Sequence, residues 1–251
     1  MEEFSNKVVI VTGAASGLGR ACAFAFAKAG ATLSLADRDA AGLEETVSEL
    51  KQFGSAAHLT TQVDLSTRDA CHNLIQQTKQ QLGGIDVLCN VAGVLGACHA
   101  TDVSQELWNL VMNINLAAPF WLSQAAIPHL LERNGNIVNI ASTAAFVGEA
   151  YLVPYASSKA GIVQMTRSLA MEFMHKPLRI NAVAPGGIVT NIMKNEAFPE
   201  GADMSLVSRY TGIRPPAEAA DVADLVLYVA SDRARNIHGA CISSDSGITA
   251  G

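Results

Sequence analysis

The sequence predicts a doubly wound α/β fold: one domain over residues 1–251, with a parallel sheet of about seven strands and helices on both faces. Three observations predict it. Apolar runs of strand length alternate with helical periods. The early strands lie ~20–30 residues apart, the interval of a strand–helix–strand crossover. No linker, internal repeat or low-complexity tract divides the chain. Strands that are apolar throughout need cover on two sides, and a parallel sheet between helical layers supplies it.

The strands read KVVIVT (7–12), ATLSLA (31–36), AAHLTTQV (56–63), IDVLCNV (85–91), NIVNIA (136–141), LRINAV (178–183) and ACISS (240–244). Helical periods fall near 17–29, 40–53, 67–82, 104–133, 155–174 and 218–230. Between Glu106 and Glu132 there is no charged residue, a stretch long enough to cross a bilayer. Asn109, Asn113, Asn115, Pro119, Gln124 and Pro128 interrupt it, so it reads as a helix buried on most sides of a soluble protein with no membrane partner. The longest irregular stretch, 190–217, is rich in Gly, Pro, Asn and Met, and a loop of that length in a compact domain is usually functional.

Composition narrows the function. Hydrophobic residues make up 49% and charged residues 16%, which excludes a disordered chain. With 17 Lys+Arg against 23 Asp+Glu, a net charge of −6 argues against nucleic acid as a partner. MEEFSNKVVIV has no basic segment or small-residue cleavage site, SGITAG carries no anchor motif, and a cytoplasmic location is expected. Five cysteines form an odd set without CxxC spacing, and six histidines are scattered, so reduced thiols and no metal site are expected.

The first strand runs into Thr12-Gly13-Ala14-Ala15-Ser16-Gly17-Leu18-Gly19 and then an Ala-rich helix. Gly13 permits a tight turn, Gly17 removes a Cβ where phosphate oxygens would approach, and Gly19 lets the helix lie close to the sheet. Backbone N–H groups at that helix start make an anion site without a cation. Asp37 ends the second strand, placed for a carboxylate on an adenosine ribose diol. A bland helix start and loop acid would share these residue types, but strand, turn, helix and acid together give a Rossmann-like nucleotide site. Asp37 would repel a 2′-phosphate, Arg38 could soften that, and position 16 holds Ser rather than a cation, so NAD is favoured over NADP.

Tyr155 and Lys159 share one helix face at i,i+4 after Pro154. A nearby ammonium favours a phenolate and draws Tyr155 toward acid–base work, although the same pair also fits an ordinary helix start. Ser142 follows strand 136–141 at the carboxyl edge of the sheet, the edge of the glycine turn. It could hydrogen-bond a developing alkoxide, or serve as a turn or cap residue.

With TGAASGLG at 12–19, NVAG at 90–93, Asn115 in MNINL, Ser142 in NIAS, YASSK at 155–159 and PGGIVT at 185–190, the chain resembles the short-chain dehydrogenase/reductase family over its full length. The resemblance implies Tyr155 as general acid/base, Ser142 orienting the substrate oxygen, and Lys159 binding the nicotinamide ribose and lowering the tyrosine pKa. It implies Asn115 holding a water that links Lys159 to solvent, where a helix-interior Asn pairing locally is the alternative. It also implies Gly13, Ser16, Gly17, Leu18, Gly19, Asp37 and Arg38 around the adenosine side of the cofactor. Asp64 would lie at the adenine edge with Val63 and Leu65 nearby, and Asn90, Ala92 and Gly93 would lie along the cofactor. Pro185, Gly186, Ile188 and Thr190 would cover the nicotinamide. Three departures stand out: Val91 for the usual Ala, Ala141 for the first Ser of a pair, and Asp245-Ser246-Gly247 for Asp-Gly-Gly. The last constrains φ in the C-terminal turn.

By the same resemblance, 191–213 forms a lid over the substrate, with Ile192, Met193, Phe198, Met204, Leu206, Val207 and Tyr210. Leu95, Phe146, Tyr151 and Leu152 add apolar walls, or these residues merely pin a surface loop. Lys194 and Arg209 could meet an acid group or face water. A small-molecule secondary alcohol or ketone, apolar in character, is the expected substrate. The uncharged 104–133 helix and Ala156, Ala160 and Gly161 resemble the family's subunit contact, giving a homotetramer with a dimer as fallback. Two rivals remain. One is an NADPH-linked 3-oxoacyl carrier-protein reductase, with a docking patch near Arg133 and Lys176. The other is an NAD-sensing protein without turnover.

Overall fold

The computed structural model describes residues 3–54, 57–189 and 198–250. Its seven strands are β1 (Val8–Thr12), β2 (Thr32–Asp37), β3 (Leu59–Gln62), β4 (Val87–Asn90), β5 (Asn136–Ile140), β6 (Arg179–Pro185) and β7 (Cys241–Ser244). They form one sheet in the order β3-β2-β1-β4-β5-β6-β7, and every neighbouring pair is parallel. Register runs Val9↔Val87 and Val11↔Cys89 across the centre.

The helices are α1 (Gly17–Lys28), α2 (Ala40–Leu50), α3 (Arg68–Leu82), α4 (Gln105–Met112), α5 (Ala118–Leu131), α6 (Val153–Glu172), a single turn α7 (Met204–Val207) and α8 (Ala219–Ala230). Alternation along the strands builds two cores. Val9 and Val11 pack with Leu33, Leu35, Phe26 and Val226 under α1 and α8. Ile10 and Leu88 pack with Ile75, Leu122 and Leu130 under α3 and α5. Every residue of β1, β4 and β5 is buried, which is why these strands read as continuous apolar runs.

One element differs from expectation. The apolar stretch 104–133 is not one helix: Asn113–Ala117 forms a π turn between α4 and α5, with the Ala118 N–H donating to the Asn113 carbonyl. The i→i+5 spacing widens the helix where Asn115, 1% exposed, turns its side chain inward. Gln105–Leu131 is apolar enough to cross a membrane by length and composition, yet α5 buries Leu122, Ala126 and Leu130 against α3.

Candidate active site

Strand order reverses between β1 and β4, and a doubly wound sheet opens a crevice there, at the carboxyl ends of its strands. The glycine turn lies in that crevice. Gly13 and Gly17 take left-handed φ of 70° and 51°, which side chains rarely tolerate. A Cβ on Gly13 would stand 2.9 Å from the Ala92 Cα, and one on Gly19 would run into the Gly13 carbonyl oxygen. Ser16 is the N-cap of α1 but makes no side-chain cap hydrogen bond, and the first turn holds no acidic residue. The leading N–H groups of α1 therefore face an open cradle of glycine backbone, which fits the phosphates of a dinucleotide. Thr12 fastens the cradle to β4: its hydroxyl donates to the Cys89 carbonyl (3.4 Å) and accepts from the Val91 and Ala92 N–H groups (3.0 and 3.1 Å).

Asp37 ends β2 beside this turn. One carboxylate oxygen accepts from the Ala15 N–H and the other from the Asp39 N–H, each at 3.0 Å. Arg38 is exposed, its carbonyl accepting from the Gln62 side chain. Asp64 lies exposed past β3, where it accepts from the Ser66 N–H. Ala92, Gly93, Gly186 and Ile188 are half-buried at strand ends along the crevice, and Pro185 is buried at the end of β6. Three expected contacts are employed otherwise. The Asn90 side chain, 3% exposed, donates to Asn139 at 2.8 Å inside the sheet. Leu18 and Leu65 are buried in the two cores. Thr190 lies outside the described residues, as do Ile192, Met193 and Lys194.

The expected catalytic groups meet on the other side of Gly93. A Cβ on Gly93 would lie 3.4 Å from Asn115 Oδ1 and 3.7 Å from Lys159 Nζ. Pro154 sits in the first turn of α6, where its missing N–H is harmless, and the helix carries Tyr155 and Lys159 on one face. Lys159 Nζ lies 5.7 Å from the Tyr155 ring centroid and donates to the Ile140 carbonyl at the end of β5 (2.8 Å). Ser142 accepts from the Ala144 N–H at 3.2 Å, which makes it the cap of the turn after β5, and its hydroxyl lies close enough to Tyr155 to lower the phenol. Asn115 clips Val94 through both its N–H and its carbonyl (2.8 Å each), and its amide donates to Ser158 at 3.2 Å.

Burial dominates the electrostatics of these two groups. Burial pushes the Tyr155 phenol up to about 12; the Ser142 hydrogen bond pulls it down, and the Glu149 carboxylate raises it further. Burial also pulls Lys159 down to about 8. Without cofactor, burial of the phenol itself outweighs the groups that lower it, while Lys159 at about 8 remains mostly charged near neutral pH.

Residues 198–210 pack on segment 143–151. Tyr210 donates its hydroxyl to the Ala150 carbonyl (2.9 Å), and the Asp203 N–H donates to the Tyr151 hydroxyl oxygen (2.7 Å). Tyr151 and Phe198 meet edge to face, Leu152 and Val207 are buried, and Phe146, Met204 and Leu206 point to solvent. The C-terminal turn accommodates its missing glycine. Ser246 takes φ 54°, while Asp245 accepts from the Gly247 and Thr249 N–H groups.

Sequence reasoning missed Thr12, Ser158 and Glu149 as site residues. Thr12 and Ser158 carried no signal beyond their motifs. Glu149 carried one: it is the sole charged residue between Arg133 and Lys159.

Comparison with known proteins agrees with this architecture. The short chain dehydrogenase family profile matches residues 7–200. A 3-oxoacyl-[acyl-carrier-protein] reductase of Thermotoga maritima is 35% identical, over 97% of this chain and 98% of its own length. A meso-2,3-butanediol dehydrogenase of Serratia marcescens is 33% identical, over 98% and 96%. Among solved structures, a short chain dehydrogenase from Mycobacterium paratuberculosis bound to NAD superposes with TM-score 0.89 at 26% identity, covering 99% of this chain and all of its own. One from Burkholderia cenocepacia in complex with NADP gives TM-score 0.88 at 28% identity, covering 98% and 99%.

Proposed function

Because this chain belongs to the short-chain dehydrogenase/reductase family and is an oxidoreductase acting on CH–OH groups, we propose that it interconverts a secondary alcohol and its ketone with NAD(H), Tyr155 being the general acid/base. Asn115 and Lys159 meet beside Gly93, the Tyr155 ring lies 5.7 Å from Lys159 Nζ, and Ser142 follows β5 close to Tyr155; this grouping, together with the uncapped start of α1, carries the reading. When bound, the nicotinamide dinucleotide supplies or accepts the hydride. The backbone N–H groups at Ser16–Gly19 hold its phosphates, and Asp37 accepts from its ribose hydroxyls.

Ser142 orients the substrate oxygen, and Tyr155 gives that oxygen a proton in reduction or takes one in oxidation. A phenol at about 12 is a poor base near neutral pH, so the step needs positive charge beside it. Lys159, whose ammonium donates to the Ile140 carbonyl, would provide that charge and would hold the nicotinamide ribose of a bound cofactor. Asn115 holds the water through which Lys159 exchanges protons with solvent. The negative charge of Asp37 favours NAD over NADP.

A second reading, an NADPH-linked 3-oxoacyl carrier-protein reductase, is favoured by the Thermotoga relative. Asp37 speaks against it, and so does Arg133, which pairs with the buried Asp86 at 3.5 Å instead of standing free on the surface. For assembly we propose a homotetramer. Trp108 and Leu110 on α4 and Met171 on α6 are exposed apolar residues that a partner subunit would cover. Gly161 also serves the chain's own packing: a Cβ there would meet Leu116 at 2.9 Å, where α6 lies on the π turn. Five free cysteines support a reducing, cytoplasmic compartment.

The test titrates NADH by its fluorescence, then screens secondary alcohols, sterols, sugars and hydroxyacyl thioesters for reduction of NAD. Binding with turnover of a secondary alcohol is expected. Binding without turnover in any class would overturn the enzyme in favour of a nucleotide sensor.

A further inference from the structure

Glu149 sits in the wall between Tyr155 and the lid, and the mechanism above does not use it. Its carboxyl is half-buried. Its single hydrogen bond among the described residues is a long one, 3.5 Å from the Thr143 hydroxyl to Oε1. No Lys, Arg or His among the described residues pairs with it. Burial accordingly pushes the carboxyl up to about 7. Its one hydrogen-bond partner, Thr143, is the neighbour of Ser142, and the next residue, Ala150, accepts from Tyr210 of the lid, so Glu149 stands between the end of β5 and residues 203–210.

The surrounding loop is held firmly for a surface connection. Both residues that follow Glu149 are tied to the lid, Ala150 by Tyr210 and Tyr151 by Asp203. The Tyr151 carbonyl accepts from the Cys98 N–H at 2.9 Å, and the Tyr151 ring packs edge-on against His99. Tyr151 also takes a left-handed φ of 70°, a genuine outlier for a bulky residue, and such strain persists only where the surroundings over-determine it. An acid that served only the loop's own packing would be well paired, as Asp86 is with Lys7, Arg133 and the Val8 N–H. Glu149 is instead presented beside Thr143, the neighbour of Ser142, with that one long hydrogen bond among the described residues.

We infer that Glu149 is a specificity-determining residue that accepts a hydrogen bond from a second hydroxyl on the substrate, so that a diol or hydroxyketone is favoured over the monofunctional alcohol or ketone. A buried acceptor with almost no protein donor gains most from a ligand donor. The same charge disfavours substrates that carry their own carboxylate close to the reacting carbon. This inference rests on the reading of Tyr155 as the residue that meets the reacting oxygen. It narrows the apolar substrate expected from sequence to one that is apolar with a polar neighbour group.

The experiment compares cyclohexanol, the vicinal cyclohexanediols and the matching amino alcohol with wild type, Glu149→Ala and Glu149→Gln, by turnover with NAD. In parallel it measures ligand binding by NMR saturation transfer on the NADH-loaded Tyr155→Phe background. In wild type the diol is preferred. Glu149→Ala lowers kcat/KM for the diol about ten- to a hundredfold, the range for a hydrogen bond to a charged group, mainly through KM, and leaves the mono-alcohol within about threefold. Glu149→Gln, which keeps an acceptor oxygen, restores much of the preference. Equal losses for diol and mono-alcohol, or a preference for the amino alcohol, would overturn the inference. If no alcohol turns over but diol binding still depends on Glu149, the acid's role stands and the dehydrogenase reading fails. If diol binding ignores Glu149, the inference fails whatever the turnover.

Discussion

Replacing Asp37 by Asn removes a charge while leaving an acceptor for the Ala15 N–H, 3.0 Å away. The glycine turn therefore keeps its tie to β2, while the exposed Asp39 N–H loses its acceptor to water, so Tm is measured beside the affinities. A 2′-phosphate in place of the ribose hydroxyl would bring like charges to ~4 Å, a repulsion of ~1 kcal/mol per unit charge in bulk water and ~4 kcal/mol at an effective dielectric near 20. Asp37 is half-buried, so the true cost lies between those limits. NADP affinity should rise from about fivefold to about a thousandfold in Asp37→Asn, while NAD affinity falls about tenfold or less as a charged acceptor becomes neutral. Equilibrium titration of both dinucleotides against wild type and variant measures the ratio directly. A wild type that prefers NADP, or a ratio untouched by the substitution, would refute the role assigned to this carboxylate.

Other consequences follow from the same geometry. Gly19→Ala drives a Cβ into the Gly13 carbonyl and should weaken NADH binding sharply, at a stability cost of about 1–3 kcal/mol; an unaltered Kd and Tm would show that the turn has slack. Thr12→Val strips the Val91 and Ala92 N–H groups of their acceptor and should cost about 1–3 kcal/mol in urea denaturation, with loosened cofactor binding. No loss would mean those donors find another partner. Glu149 has a folded pKa raised from 4.5 to about 7, so the native state holds more protons than the unfolded chain between those values and stability falls as pH rises through them. Glu149→Gln should match wild type near about pH 4.5 and exceed it by at most about 3 kcal/mol above about pH 8. A stability difference that does not change with pH would contradict the buried, unpaired acid.

Much of the site was legible because its signals are local. A strand, a glycine turn and an Ala-rich helix can be recognised within twenty-two residues, 7–28, and Tyr155 and Lys159 share a face through helical spacing alone. What was not legible depends on tertiary placement. In strands buried on both faces, residue type does not say which way a side chain turns, and so Asn90 was expected along the cofactor when its amide joins Asn139 inside the sheet. The π turn at Asn113–Ala117 leaves the hydrophobic pattern nearly intact, so α4 and α5 read as one helix. Small residues on α6 look alike whether they face a partner or Leu116. The size and sign of a pKa shift also depend on burial: proximity of Tyr155 to Lys159 is visible in the sequence, the desolvation of both is not. Ser246 shows the converse, a residue type that discourages a turn which Asp245 then secures with hydrogen bonds.

The most direct measurement is single-turnover hydride transfer in Tyr155→Phe, with NADH affinity measured on the same protein. Loss of the hydroxyl should slow the step by about 10²–10⁴-fold, the usual contribution of a positioned general acid or base, with Kd for NADH held within about threefold. A rate equal to wild type would place the proton elsewhere and contradict the account.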